Sequence, residues 1–217
     1  MKNIQLLFAL LPFVVFGQNT VETGVYEYEG KNKTHRFLID QNYLIETVFN
    51  KEPAEFILTR GGYYKETSKG IEVDFEFNSN YEKDSLKQIK YPNNIAWNKQ
   101  EGSEQYLENK WLMGGRMSDE GISRRDTSMS RKTLKMLING YFQWIAFDTK
   151  GYKFSGTGGG IYEAGHGKYI ETIQYFSRDN SRVGAVLSFD FELLNEEWHH
   201  KGLSSKGSPI HEIWVKR

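Results

Sequence analysis

Apolar side chains recur at every second position over several stretches of the chain. Ile71, Val73, Phe75 and Phe77 alternate with Glu72, Asp74, Glu76 and Asn78. Later, Ala185, Leu187, Phe189, Phe191 and Leu193 alternate with Val186, Ser188, Asp190, Glu192 and Leu194. Successive side chains of a strand point to opposite faces, so each run offers one face to a core. After the N-terminal segment no stretch sustains an apolar period of 3.6, which predicts few and short helices. Strands are expected at 22–29, 34–40, 43–49, 54–66, 70–78, 85–91, 94–99 and 105–113, and again at 133–138, 141–148, 152–163, 168–176, 183–194, 197–201 and 209–216. Thr149-Lys150-Gly151, Gly165-His166-Gly167, Asp179-Asn180-Ser181 and Asn195-Glu196 carry the turn chemistry of hairpins. The predicted class is all-β and antiparallel.

The pattern is also doubled. Gly61-Gly62-Tyr63-Tyr64-Lys65-Glu66 is answered 98 residues later by Gly159-Gly160-Ile161-Tyr162-Glu163-Ala164. Ile71-Glu72 reads as Ile170-Glu171, Trp97 as Trp198, and Trp111 as Trp214, with an offset drifting from 98 to 103. A fixed period in a β-rich chain implies duplicated supersecondary units that bury equivalent aromatics. Two tandem units of about 95 residues follow, at 18–110 and 111–217, with a polar loop or linker at 118–132. The alternative arrangement is one large barrel to which each copy gives half the strands. The strand around Trp111 either closes the first unit or opens the second.

Met1 to Gly17 reads as a secretory signal peptide: Lys2 supplies the positive charge, Leu6 to Phe16 the apolar core, and Val15 and Gly17 the small-residue cleavage site. No transmembrane segment is expected once it is removed. The chain has no cysteine, so disulfides and a lipid-modified cysteine are both unavailable. That combination suits a bacterial periplasm or cell surface, or secretion into the medium. Formal net charge is zero, with 12 basic and 16 acidic residues at 18–110 and 15 against 12 at 111–217, so no global field favours nucleic acid. Aromatic residues make up 15% of the chain, which favours strands around a large core.

Within 111–217, the segments Phe142-Gln143-Trp144-Ile145-Ala146-Phe147, Gly156-Thr157-Gly158-Gly159-Gly160, Phe176-Ser177-Arg178-Asp179-Asn180-Ser181-Arg182-Val183-Gly184 and Trp198-His199-His200-Lys201-Gly202-Leu203-Ser204-Ser205-Lys206-Gly207 are similar to uncharacterised secreted bacterial proteins. Each half, ending in a Trp-bearing strand, resembles a small lipocalin-like (calycin-type) β-barrel domain. The resemblance implies a barrel and an exported address, with no established activity. A Gly-x-Trp opening motif and a disulfide, both features of true lipocalins, are missing.

The richest polar cluster flanks two turns of the second unit. Arg178, Asp179 and Arg182 surround one, and Trp198, His199, His200, Ser204 and Lys206 the other. If both turns share a barrel mouth, guanidinium, imidazole and indole groups together suit a small-molecule or carbohydrate-like ligand. The first unit has Asn80-Tyr81-Glu82-Lys83-Asp84 and Trp97-Asn98-Lys99 at the matching places, so binding is expected in the second unit, with the first as scaffold. No metal or cofactor is expected: His199 and His200 point to opposite faces of a strand, and 156–160 lacks the Gly-Lys-Ser/Thr of a phosphate loop. The glycines there read as a kink in a curved strand. No Gly-x-Ser-x-Gly occurs, and no Ser-His-Asp set stands out. Glu72 and Glu171 read as repeat-equivalent carboxylates on the solvated face. The expected function is thus that of an exported non-catalytic binding protein that takes a small ligand or a surface partner at the mouth of the second barrel. The alternatives are a barrel enzyme using Glu171 with His199 or His200 in acid–base work, and a structural envelope protein without a pocket.

Export with cleavage after Gly17 leaves Gln18 as the first residue. Intact-mass measurement of protein recovered from the envelope or medium checks this, and a mass that retains residues 1–17 refutes it.

Overall fold

The period-2 runs form antiparallel hairpins that follow one another along the chain. The computed structural model describes residues 21–31, 33–93, 96–204 and 207–217. The expected signal peptide lies outside these residues. The first unit contains β1 (Gly24–Gly30), β2 (Lys33–Ile39), β3 (Tyr43–Asn50), β4 (Glu55–Thr67), β5 (Gly70–Asn78), a single helical turn α1 (Tyr81–Asp84), β6 (Gln88–Pro92) and β7 (Asn98–Lys99). They pair in the order β6-β5-β4-β3-β2-β1-β7. The second unit contains β8 (Asn109–Ser118), β9 (Gly121–Arg124), β10 (Arg131–Ile138), β11 (Tyr141–Asp148), β12 (Lys153–Gly165), β13 (Lys168–Phe176), a 3-10 turn at Asn180–Arg182, β14 (Val186–Leu194), β15 (Glu197–Leu203) and β16 (Pro209–Lys216).

The strand carrying Trp111 opens the second unit. β8 pairs with β10 on one side, with Trp111 opposite Lys135, and with β16 on the other, with Trp111 opposite Lys216. These two ladders close β8 and β10–β16 into an eight-stranded barrel, while β9 hangs from β8 as a short hairpin. Trp111 and Trp214 are therefore not repeat counterparts; they sit on neighbouring strands of one barrel, where Trp214 faces Met113. The first sheet curves in the same way but remains a half-barrel. Its edges are β6 and the two-residue β7, and among the described residues no strand bridges them.

From β2 to β6 the first unit repeats as β10 to β14 at a fixed offset of 98, down to the irregularities. Bulges fall at Val48/Phe49 and Ala146/Phe147, and at Gly61/Gly62 and Gly159/Gly160. The glycine pairs are required by close approach of backbone. A Cβ on Gly62 would lie 1.9 Å from the Asp74 carbonyl oxygen, and one on Gly160 2.0 Å from that of Thr172. The repeat also corrects a pairing of residues. Tyr64 faces Val73 and its counterpart Tyr162 faces Glu171, so Glu171 corresponds to Val73 and not to Glu72. A slip of one residue turns a strand's side chains to the opposite face. Glu72 is on the outside, bound by Lys65 and Lys90.

The convex faces of the two units pack on each other, and equivalent residues trade places across the contact. Phe49 meets Tyr175 at 4.9 Å between ring centroids, and Phe77 meets Phe147, the counterparts in reverse, at 5.0 Å. Phe56 stacks on its own counterpart Phe154 with planes 9° apart. Such reciprocity is the mark of an isologous contact around a two-fold axis, here within one chain. Val25, Leu38, Tyr43, Ile45 and Phe77 share one core with Leu112, Leu134, Met136, Ile145 and Phe147. A second core, with Phe37, Ile39, Val73 and Tyr91, fills the concave side of the half-barrel, and a third lies inside the closed barrel. β3, with Tyr43 to Phe49 all buried, is covered on both faces. At the centre of the contact, Gln143 donates to the hydroxyls of Thr59 and its counterpart Thr157, 3.0 Å each, and accepts from Thr47 at 2.9 Å.

Gly160→Ala is expected to cost about 4 kcal/mol or more, because the new methyl collides with backbone rather than with a movable side chain. Phe147→Ala should cost about 3–5 kcal/mol through the cavity left between the units. Urea unfolding followed by tryptophan fluorescence measures both. Losses below about 1 kcal/mol would contradict the contact described.

Candidate functional site

Inside the closed barrel, alternation sends Arg131, Thr133 and Lys135 of β10 inward while Leu134 and Met136 face the first unit. Trp144 and Ala146 of β11, Glu171 and Ile173 of β13, Leu187 and Phe189 of β14, His200 of β15, and Ile210, Glu212 and Trp214 of β16 join them around a cavity of about 370 Å³. Gly158 makes room for the wall, since a Cβ there would sit 2.7 Å from Trp144 Nε1 and 2.8 Å from the ring of Phe176.

The floor is aromatic and charged at once. Lys135 Nζ contacts Glu171 Oε1 at 2.9 Å, with both side chains about 95% buried. Its ammonium lies 5.1 Å from the ring centroids of Tyr169, Trp198 and Trp214, within the range of cation–π attraction. Burial, then the charge of Glu171, pushes the Tyr169 hydroxyl well above its usual range, so it stays protonated. At the same two positions the half-barrel has Phe37 and Val73, and there Trp97 stacks on Phe37 at 4.7 Å.

His200 is 2% exposed and ringed by Phe189, Trp198 and Tyr169. Its Nδ1 lies 3.5 Å from Glu212 Oε2 without the alignment of a hydrogen bond, and neither ring nitrogen has a hydrogen-bond partner. Burial, then the nearby Lys135 charge, lowers its pKa, and the carboxylates of Glu212 and Glu171 offset this in part. The imidazole is therefore neutral at pH 7 and can both donate and accept. The indole nitrogens of Trp198 and Trp214 are likewise buried and unpartnered.

The mouth is cationic. Arg116, Arg125, Arg131, Lys132 and Arg178 line it above Lys135, so six cationic side chains face two carboxylates, Glu171 and Glu212. Arg178 donates through Nε and an Nη to the Ser155 carbonyl and lies 5.7 Å over Trp144. Lys132 donates to the carbonyls of Thr127 and Met129.

Of the sequence-predicted site residues, Arg178, His200 and Ser204 line this cavity, and Trp198 packs behind its floor. Asp179 and Arg182 stay on the outer turn: Asp179 accepts from Ser181 N at 3.0 Å and lies 3.9 Å from Arg182 Nε. His199 faces outward and meets His211 at 2.9 Å. Lys206 lies outside the described residues. Glu171 was expected on the solvated face, and the register places it inside instead. The sequence reading missed Lys135, Glu212, Trp144, Trp214 and the three arginines at 116, 125 and 131. Leu134-Lys135-Met136-Leu137 carries a signal of its own, a single cation inside an apolar strand run.

The half-barrel holds a different polar group. Buried Glu46 accepts from His35 Nδ1 (2.8 Å), Arg60 Nε (2.6 Å) and the Tyr91 hydroxyl (2.6 Å). Burial works against its ionisation, but these partners prevail and lower its pKa. At the matching positions the closed barrel has Trp144, Thr133, Gly158 and Phe189. No protein-family model matches the chain, and a comparison with curated proteins finds no match.

Lys135→Met should destabilise by about 3–5 kcal/mol, because it leaves Glu171 as an uncompensated buried charge. Adding Glu171→Leu should recover most of that loss, since the double change removes both charges. Chemical denaturation of the two single variants and the double variant measures the coupling. Additive losses would show that the pair does not act as a unit.

Proposed function

We propose that the chain is an exported, non-catalytic binding protein that holds a small ligand in the lumen of its closed barrel. The observation that carries this reading is a cavity of about 370 Å³ inside the closed barrel, lined by the buried Lys135–Glu171 pair and by the almost fully buried His200, whose ring nitrogens make no hydrogen bond to the protein. A buried polar group without a partner costs about 1–3 kcal/mol. The cavity falls within the range of small-molecule pockets, about 300–1,000 Å³. The lipocalin-like resemblance is compatible with the same reading, because it implies a barrel and an exported address. The lumen is polar at both ends, with arginines at the mouth and Lys135, Glu171 and His200 deeper. Among the described residues no helix is long and apolar enough to cross a membrane.

A second reading has a specific observation behind it: Glu171 and His200 line the same cavity, as acid–base chemistry on a lumen substrate requires. The binding reading is preferred because Glu171 is held by Lys135 in a buried ion pair.

A thermal-shift screen of sugars, carboxylates, phosphates and aromatic acids tests the proposal, run on the wild type and on a lumen-filling Ala146→Trp variant. Ligands that raise the wild-type Tm by several degrees and leave the variant unmoved support it. Equal shifts in both proteins place binding elsewhere and sink it.

A further inference from the structure

Resting on the lumen as the binding site, we infer that its ligand is a small organic anion with a planar ring body, its acid group held by the arginine mouth and its ring against the aromatic wall. The charge of the whole chain is balanced, so the cationic excess at this mouth is local. Its members differ in how far they are already engaged. Lys135 is bound by Glu171, and Lys132 by two carbonyls. Arg116 reaches Glu212 only at 3.4 Å, with most of its side chain in solvent. The side chains of Arg125 and Arg131 make no hydrogen bond or ion pair among the described residues. An acid group arriving between Arg125, Arg131 and Arg178 thus breaks no existing ion pair, and guanidinium forks bind carboxylate, sulfonate or phosphate oxygens in paired hydrogen bonds.

Below the mouth the wall is made of flat groups. Trp144 carries the Arg178 guanidinium on its face and meets the ring of Phe176 edge-on, while Phe189 and Trp214 lie deeper. The far end presents the His200 imidazole, unpartnered, and the Trp214 indole nitrogen, also unpartnered. A body of hydrocarbon alone would leave both unsatisfied, whereas one bearing a polar atom would pair with one of them, and the flat aromatic lining favours a planar body. The half-barrel lacks the core of this set: Phe37 and Val73 replace the ion pair, Glu46 replaces Trp144, and Asn80 stands where Arg178 does.

Two fluorescent probes of nearly the same shape separate charge from fit. 8-Anilinonaphthalene-1-sulfonate carries the acid group, and N-phenyl-1-naphthylamine lacks it. Titration of the full chain, read by energy transfer from tryptophan, should show the sulfonate binding at least about tenfold more tightly. An Arg125→Gln/Arg131→Gln variant should weaken the sulfonate about tenfold and leave the amine unchanged. Raising the salt concentration should weaken only the sulfonate. Far-UV circular dichroism confirms that the variant is folded, since both arginines are exposed. If both probes bind equally and Ala146→Trp abolishes both, the lumen stands as a binding site and the anion inference falls. If neither binds, or if the sulfonate signal survives Ala146→Trp, the lumen reading falls and the inference with it.

Discussion

A curved sheet that cannot close must have both faces covered, and everything else in this protein follows from how that is done. Among the described residues no strand joins β6 to β7, and the concave side of the first unit is filled by Phe37, Val73, Tyr91 and Trp97 rather than sealed by hydrogen bonds. Its convex side is equally apolar and requires a partner. The second unit supplies one, presenting the outward residues of β10 and β11. Closing the second barrel leaves those residues with no inward role, so the same strands line a cavity on one face and support the first unit on the other.

The exchange of polar groups between the units is consistent with this division. Where the half-barrel has Phe37 and Val73, the closed barrel has Lys135 and Glu171. Where the closed barrel has Trp144 and Phe189, the half-barrel has Glu46 and Tyr91, bound together with Arg60 and His35. The half-barrel's charges are fully engaged by one another, which locks its interior. The closed barrel pairs only some of its polar groups and leaves the ring nitrogens of His200 without a hydrogen bond from the protein. One unit thus binds its buried carboxylate with three donors, and the other turns its own towards a space.

Much of this could be read from the residues. Alternation located the long strands, and Gly61-Gly62 with Gly159-Gly160 fixed the repeat, because a double bulge tolerates no side chain there. The half-closed state of the first unit was not legible, since it depends on the strand carrying Trp111 pairing forward with β10 and β16. Matching Glu72 to Glu171 by residue type slipped the register by one and put a lumen carboxylate on the surface. Turn chemistry marks Arg178 and Ser204 in the residues themselves, because both lie at hairpin ends. The cations of β10 were missed because on a strand only the direction of the side chain, and not its type, separates lumen from exterior.

Gln143 has a consequence of a different kind. It bridges Thr59 and Thr157, which are counterparts of each other, while its own counterpart is Ile45, and Thr47 answers to Ile145. One amide therefore serves a site that the repeat defines twice. Two copies of the second unit would bring two amides to a place with room for one, and two copies of the first would leave a pair of threonines facing isoleucines. The halves are no longer interchangeable parts. Whatever symmetric assembly such a contact resembles, this chain has become a heterodimer with itself, and the order of its units is written into a single side chain.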